Sequence, residues 1–124
     1  HHYFRGFMAC DSGMIPWLLV AELMGRSGRS LADLLAEARA AFPSSGEINF
    51  RVPDPAAVIA RVEAALTGAE VDRLDGLSLS FPDWRVNLRA SNTEPLLRLN
   101  IETRGDPEAL PRRVAEVTRL IEGA

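Results

Sequence analysis

Not one lysine occurs among the 124 residues; all 14 basic side chains are arginine. Genome base composition accounts for such a bias, and no function is drawn from it. Cysteine occurs once, as Cys10, which excludes an internal disulfide and suits a reducing compartment. No apolar run is long enough for a bilayer: the longest, 14–24, is interrupted by Pro16 and Glu22. The opening His1-His2-Tyr3-Phe4-Arg5 has no basic segment followed by a long apolar one, so it does not read as a signal peptide. The cytoplasm is therefore the expected setting. Positive charge is not in excess either. A net charge of −3 argues against nucleic acid or an anionic membrane surface as a partner. With no initiator methionine, the first residues read as a cut, and the paired histidines are either native or the end of a purification tag.

What is present fits a globular domain: 47% hydrophobic and 25% charged residues. The length suffices for one modest domain, or a small domain with an appendage. In chain order, Asp11-Ser12-Gly13 reads as a helix start, with Pro16 in the tolerated first turn. The helix predicted over 14–24 is apolar nearly all round and demands burial on several sides. Ser30 caps a second helix, with Asp33 at the capping-box position and a stripe of Leu31, Leu34, Leu35, Ala38 and Phe42. Two helices and a scrap of strand are not a domain, so residues 1–42 read as the tail end of a larger α/β unit.

Pro43-Ser44-Ser45-Gly46 marks a boundary, and 43–124 reads as a separate domain. Ile48, Phe50 and Val52 alternate as a half-buried strand. Asp54-Pro55 supplies a cap and a first-turn proline for a helix carrying Val58, Ile59, Val62, Ala65 and Leu66. Leu77, Leu79 and Phe81 mark a second strand, whose start near Val71 stays open. Trp84, Val86 and Leu88 mark a third, and Leu97, Leu99, Ile101 and Thr103 a fourth. Asp106-Pro107 repeats the capping chemistry before Leu110, Val114, Val117, Leu120 and Ile121. The order β-α-β-β-β-α predicts an α+β fold, a two-layer sandwich with two helices on one face of a four-stranded antiparallel sheet. Arg85, Asn87, Arg89, Arg98, Asn100 and Glu102 fall on the other face.

Between the third and fourth strands lies Arg89-Ala90-Ser91-Asn92-Thr93-Glu94-Pro95. It gathers a guanidinium, two hydroxyls, an amide and free backbone N–H groups, the donors that hold a phosphate. Pro95 stiffens the exit and biases Glu94 toward extended backbone. An ordinary polar hairpin loop, in which Ser, Asn and Thr bond their own backbone, accounts for the same residues.

Arg89-Ala-Ser-Asn-Thr-Glu-Pro-Leu-Leu-Arg-Leu-Asn100 closely resembles the phosphate-binding loop in the last domain of the α-phosphohexomutases, the phosphomannomutase/phosphoglucomutase family. The start, His1-His-Tyr-Phe-Arg5 followed by Asp11-Ser-Gly13, resembles the end of that family's third domain. The resemblance implies reversible phosphoryl transfer between the 1- and 6-hydroxyls of a hexose, through a phosphoserine on the first domain. It implies Mg²⁺ held by three aspartates of the second domain, and a C-terminal domain that grips whichever phosphate is not reacting. Carried over, Arg89, Ser91, Asn92 and Thr93 contact that phosphate. Arg89 brings charge and fork, Ser91 and Thr93 hydroxyls, and Asn92 and Thr93 backbone N–H groups. Glu94 is expected to pair with an arginine or hold the loop. Arg98 is a secondary candidate, or else a strand-surface arginine. His1 matches a histidine bordering the sugar-recognition loop, whose Gly-Glu-x-Ser segment is absent from this sequence.

The serine loop and the aspartate-rich metal loop are also absent. No His, Cys, Asp or Glu cluster has metal-ligand spacing, no Gly-rich nucleotide loop occurs, and no Ser-His-Asp set has credible partners. The chain is thus expected to be catalytically silent: it grips the non-reacting phosphate of a hexose phosphate as a domain of a larger enzyme, and alone binds phosphate weakly at most. Its partners are expected to be the domains missing from this sequence, and the apolar surface of 14–24 is expected to find cover by packing on the C-terminal domain, by dimerisation or by strand exchange. Two other readings remain: a phosphoglucosamine mutase fragment, and a non-enzymatic α+β module binding an anion or a protein through its sheet face.

Overall fold

The computed structural model describes residues 2–91 and 93–123, which form two compact units, His1–Ala38 and Arg39–Ala124. In the first unit, β1 (Tyr3–Phe4) and β2 (Cys10–Asp11) pair antiparallel around a short 3-10 turn. Helix α1 (Met14–Ser27) starts where the Ser12 hydroxyl accepts the Ile15 N–H at 3.2 Å. It stops at Gly28, whose left-handed φ of 65° lets its N–H reach the Met24 carbonyl. The predicted capping box opens α2 (Leu31–Ala41). Ser30 Oγ accepts the Asp33 N–H, and the Asp33 carboxylate accepts the Ser30 N–H, each at 3.2 Å. Neither helix buries a residue.

The second unit is an α+β two-layer sandwich. Its elements are β3 (Ile48–Arg51), α3 (Pro55–Ala65), β4 (Glu70–Asp72), β5 (Leu77–Ser80), β6 (Trp84–Ala90), β7 (Leu96–Thr103) and α4 (Ala109–Glu122). The sheet is antiparallel with strand order β3-β7-β6-β5-β4. It has five strands where the alternation predicts four. The extra one, β4, is exposed along its whole length, so no buried apolar face announces it in the sequence.

Period-2 alternation sets the two layers. Leu77, Leu79, Trp84, Val86, Leu88, Leu97, Leu99 and Ile101 are buried and form one core with Val58 and Val62 of α3 and Val117 and Ile121 of α4. Asp54 caps α3 through the Ala57 N–H at 3.0 Å, with Pro55 in the first turn. Asp106 uses the same chemistry, accepting the N–H groups of Glu108 and Ala109, so α4 opens slightly later than the matching Asp-Pro predicts. Arg61 of α3 donates to the carbonyls of Leu120 and Ile121 at 2.8 and 2.7 Å. It thereby satisfies orphan acceptors at the end of α4 and locks the helix layer together. Beyond β3, the edge of β7 is covered by the backbone of 43–45: Ser45 N–H meets Ile101 O and Thr103 N–H meets Pro43 O, each at 2.9 Å. Among the described residues no helix is long and apolar enough to cross a membrane.

Candidate functional site

The same alternation that sends Leu88 and Leu99 into the core turns Arg89 and Arg98 to the opposite face. Arg89 is not in the loop, as its place in the motif suggests, but in β6, one residue from its end. It sits directly across from Arg98 of β7, and Asn49 of β3 flanks Arg98 on the other side. Below them, Asn87 pairs with Asn100 and Arg85 with Glu102. The outer face of the central strands therefore carries a polar ladder, with two guanidinium groups at its upper rung.

Each arginine has a carboxylate of its own. Arg89 Nη1 donates to Asp75 Oδ2 at 3.0 Å. Arg98 Nη1 lies 3.7 Å from Glu47 Oε2, and its Nε is buried without an acceptor among the described residues. Sequence reasoning overlooked Asp75 and Glu47. The Asp75-Gly76 dipeptide is a hairpin-turn signal, but its contact with β6 follows only from the sheet order.

After Ala90 the ladder continues for one bond, Ser91 N–H to Leu96 O at 2.8 Å. The chain then turns tightly about Pro95, with the Leu96 N–H on the Glu94 carbonyl at 2.7 Å. Among the described residues the Glu94 carboxylate has no ion-pair partner, and its backbone carbonyl accepts that Leu96 N–H. Thr93 N–H points at Ser91 Oγ over 3.4 Å. That is a long contact, so this donor is weakly engaged. With its oxygen accepting, the Ser91 hydroxyl still has a proton to donate. Asn92 and His1 lie outside the described residues. Two arginines on a sheet rung, followed by a short turn with two hydroxyls and a weakly used N–H, make a donor-rich surface suited to an oxyanion.

A shallow cavity of about 220 Å³ lies at the opposite end of β6, lined by Phe42, Phe81, Trp84, Arg85 and Glu102 among others. Its Phe81–Trp84 stack, with ring centroids 4.6 Å apart, is covered by Arg113 at 4.5 Å from the Trp84 ring. That packing closes the β5–β6 hairpin. Among the described residues, no three or more His, Cys, Asp and Glu side chains are grouped as a metal site.

Residues 47–120 match the model of the phosphoglucomutase/phosphomannomutase C-terminal domain, and 1–42 match that family's alpha/beta/alpha domain III. The chain belongs to the phosphoglucomutase/phosphomannomutase family. The domain IV match spans β3 through most of α4, and so includes the arginine rung and the turn that follows it. A phosphomannomutase of Salmonella montevideo is 60% identical over 98% of this chain and 27% of its own length. The phosphohexose mutase of Xanthomonas campestris pv. campestris is 58% identical over 99% of this chain and 28% of its own. A phosphomannomutase of Escherichia coli K12 is 51% identical. Among solved structures, a family protein from Burkholderia thailandensis matches with a TM-score of 0.50 and 30% identity, covering 64% of this chain and 17% of that one. The chain spans about a quarter of the length of the curated relatives it matches.

Proposed function

We propose that this chain is part of a hexose-phosphate mutase, and that within it the chain grips the phosphate that is not reacting. The whole enzyme interconverts hexose 1- and 6-phosphates by phosphoryl transfer through a phosphoserine on another domain. The observation that carries this reading is the rung of Arg89 opposite Arg98, leading into the Ser91–Thr93 turn within a family-matched domain. Phosphoryl transfer needs alignment and charge stabilisation, and a remote phosphate handle supplies binding energy for alignment. A handle built from a partly exposed rung can accept either phosphate of a bisphosphate that turns over between half-reactions. Arg89 is the main cation, Arg98 the second, and Ser91 and Thr93 the neutral donors; Asn92 belongs to the same motif.

Mg²⁺ belongs to this proposal as a cofactor of the complete enzyme, held outside this chain, and the chain alone is catalytically silent. The relatives' names, phosphomannomutase and phosphohexose mutase, favour mannose and glucose phosphates over an amino sugar. A cytoplasmic setting is part of the same reading.

The test is kinetic. In a protein carrying all the domains of the family, with this chain in its matching place, Arg89→Ala should lower kcat/KM for mannose 1-phosphate. The expected loss is about ten- to a hundredfold, the value of one or two charge-assisted hydrogen bonds. Unchanged kinetics in a folded variant would overturn the assignment.

A further inference from the structure

An arginine that must meet a ligand in one geometry loses affinity to its own rotamer freedom unless something holds it beforehand. Around Arg89 the structure supplies such a holder, on a neighbouring turn. The turn between β4 and β5 carries Asp75 and Gly76. Gly76 has a φ of 74°, and a Cβ there would overlap the Leu88 carbonyl oxygen and stand 3.0 Å from Arg89 Cα. The turn thus lies on the backbone of β6 at residues 88 and 89, closer than a side chain would allow. Asn87 fixes it in place: its Nδ2 donates to the Asp75 carbonyl and to Ser78 Oγ, each at 3.0 Å. With its backbone clamped, Asp75 has its carboxylate carried to Arg89 Nη1, also at 3.0 Å.

Two facts set the meaning of that contact. The pair is open to water, with 40% of the Arg89 side chain and 69% of the Asp75 side chain exposed, so it does little for stability. The contact takes only Nη1. Of the five N–H donors of the guanidinium, those on Nη2 and Nε have no acceptor in the described structure and form the edge that binds an oxyanion in bidentate fashion. Arg98, directly opposite, sets a like charge on the neighbouring strand, which makes a carboxylate partner for Arg89 more favourable.

We propose that Asp75 is a positioning residue for Arg89: it fixes one end nitrogen of the guanidinium on a clamped turn and leaves the remaining edge for the ligand phosphate. This rests on the phosphate-grip reading given above. It adds a side chain that never touches the ligand, and a division of labour in which Gly76 and Asn87 place the turn and Asp75 aims the arginine.

The test compares Asp75→Asn, which keeps an oxygen for Nη1 but drops the charge, with Asp75→Ala, which drops both. Inorganic phosphate is titrated into the 124-residue chain and its dissociation constant is read from the ³¹P resonance. Motion of the Arg89 Nε–H is read separately by ¹⁵N relaxation without phosphate. Aiming predicts that Asp75→Ala weakens phosphate about three- to tenfold and frees the Arg89 Nε–H. Asp75→Asn should match or exceed the parent affinity and keep Arg89 ordered. If both variants bind phosphate alike, whether tighter or weaker than the parent, the carboxylate acts through charge and the inference is overturned. Unaltered Arg89 motion in Asp75→Ala overturns it as well, whatever phosphate does. Phosphate binding that survives Arg89→Ala would instead bring down the phosphate-grip reading, and this inference with it.

Discussion

Arg89 and Arg98 are directly paired residues of adjacent antiparallel strands, so the sheet holds two cations side by side on its open face. Like charges in that position oppose folding by a few tenths of a kcal/mol. Their carboxylates, Asp75 at 3.0 Å and Glu47 at 3.7 Å, return an amount of the same small size because the pairs are partly exposed. The rung is therefore not there for stability. Arg89→Ala and Arg98→Ala should each shift the urea-unfolding free energy by less than about 0.5 kcal/mol, or raise it. A loss of about 2 kcal/mol or more in either would make these arginines structural and contradict the reading.

Gly76 is the opposite case, with a strict steric requirement. Its positive φ and the missing space for a Cβ mean that Gly76→Ala must shift the turn off β6. The expected loss is about 1–3 kcal/mol, seen as a lower denaturation midpoint, with amide shifts centred on Leu88 and Arg89. A variant as stable as the parent would show that the turn does not rest on β6.

Arg61 tests the helix layer. It bridges two carbonyls at the end of α4, so Arg61→Ala should cost about 1–2 kcal/mol. That corresponds to a fall in Tm of several degrees for a domain of this size. Arg61→Lys should recover only part of it, because one ammonium cannot reproduce the planar fork. Full recovery by lysine would reduce the contact to simple charge.

How far the sequence discloses this molecule depends on where burial leaves a period. Trp84-Val86-Leu88 and Leu97-Leu99-Ile101 alternate because one face of each strand meets α3 and α4, so β6 and β7 and their polar face can be read directly. Ser30 with Asp33 and Asp54 with Pro55 disclose helix starts, because capping chemistry is local. Strand β4 leaves no trace beyond Val71, since all three of its residues are exposed. Arg89 looks like a loop residue because the motif runs through it, yet the ladder with Leu96–Thr103 extends past it to Ala90. Asp75 and Glu47 are invisible for a different reason. Their partners lie 14 and 51 positions away in sequence (89 − 75 and 98 − 47), and only the strand order joins them.

Helix α1 makes a prediction about association. Trp17, Leu18, Leu19 and Leu23 are each more than half exposed, a larger apolar display than a soluble monomer ordinarily shows. We expect the 124-residue chain to dimerise or assemble further at concentrations near 100 μM, on the order at which such patches associate. Leu19→Glu should return it toward the monomer in light scattering. A parent chain that stays monomeric with α1 helical would contradict this.

The most direct test of the phosphate grip is a ¹H–¹⁵N titration of the chain with mannose 1-phosphate. The grip predicts saturable shifts at the amides of Ser91, Thr93 and Leu96 and at the Arg89 Nε–H, with the Phe81–Trp84 end of the sheet unmoved. Amides from 89 to 96 that stay still through the titration, or shifts gathered at the Trp84 end instead, would contradict it.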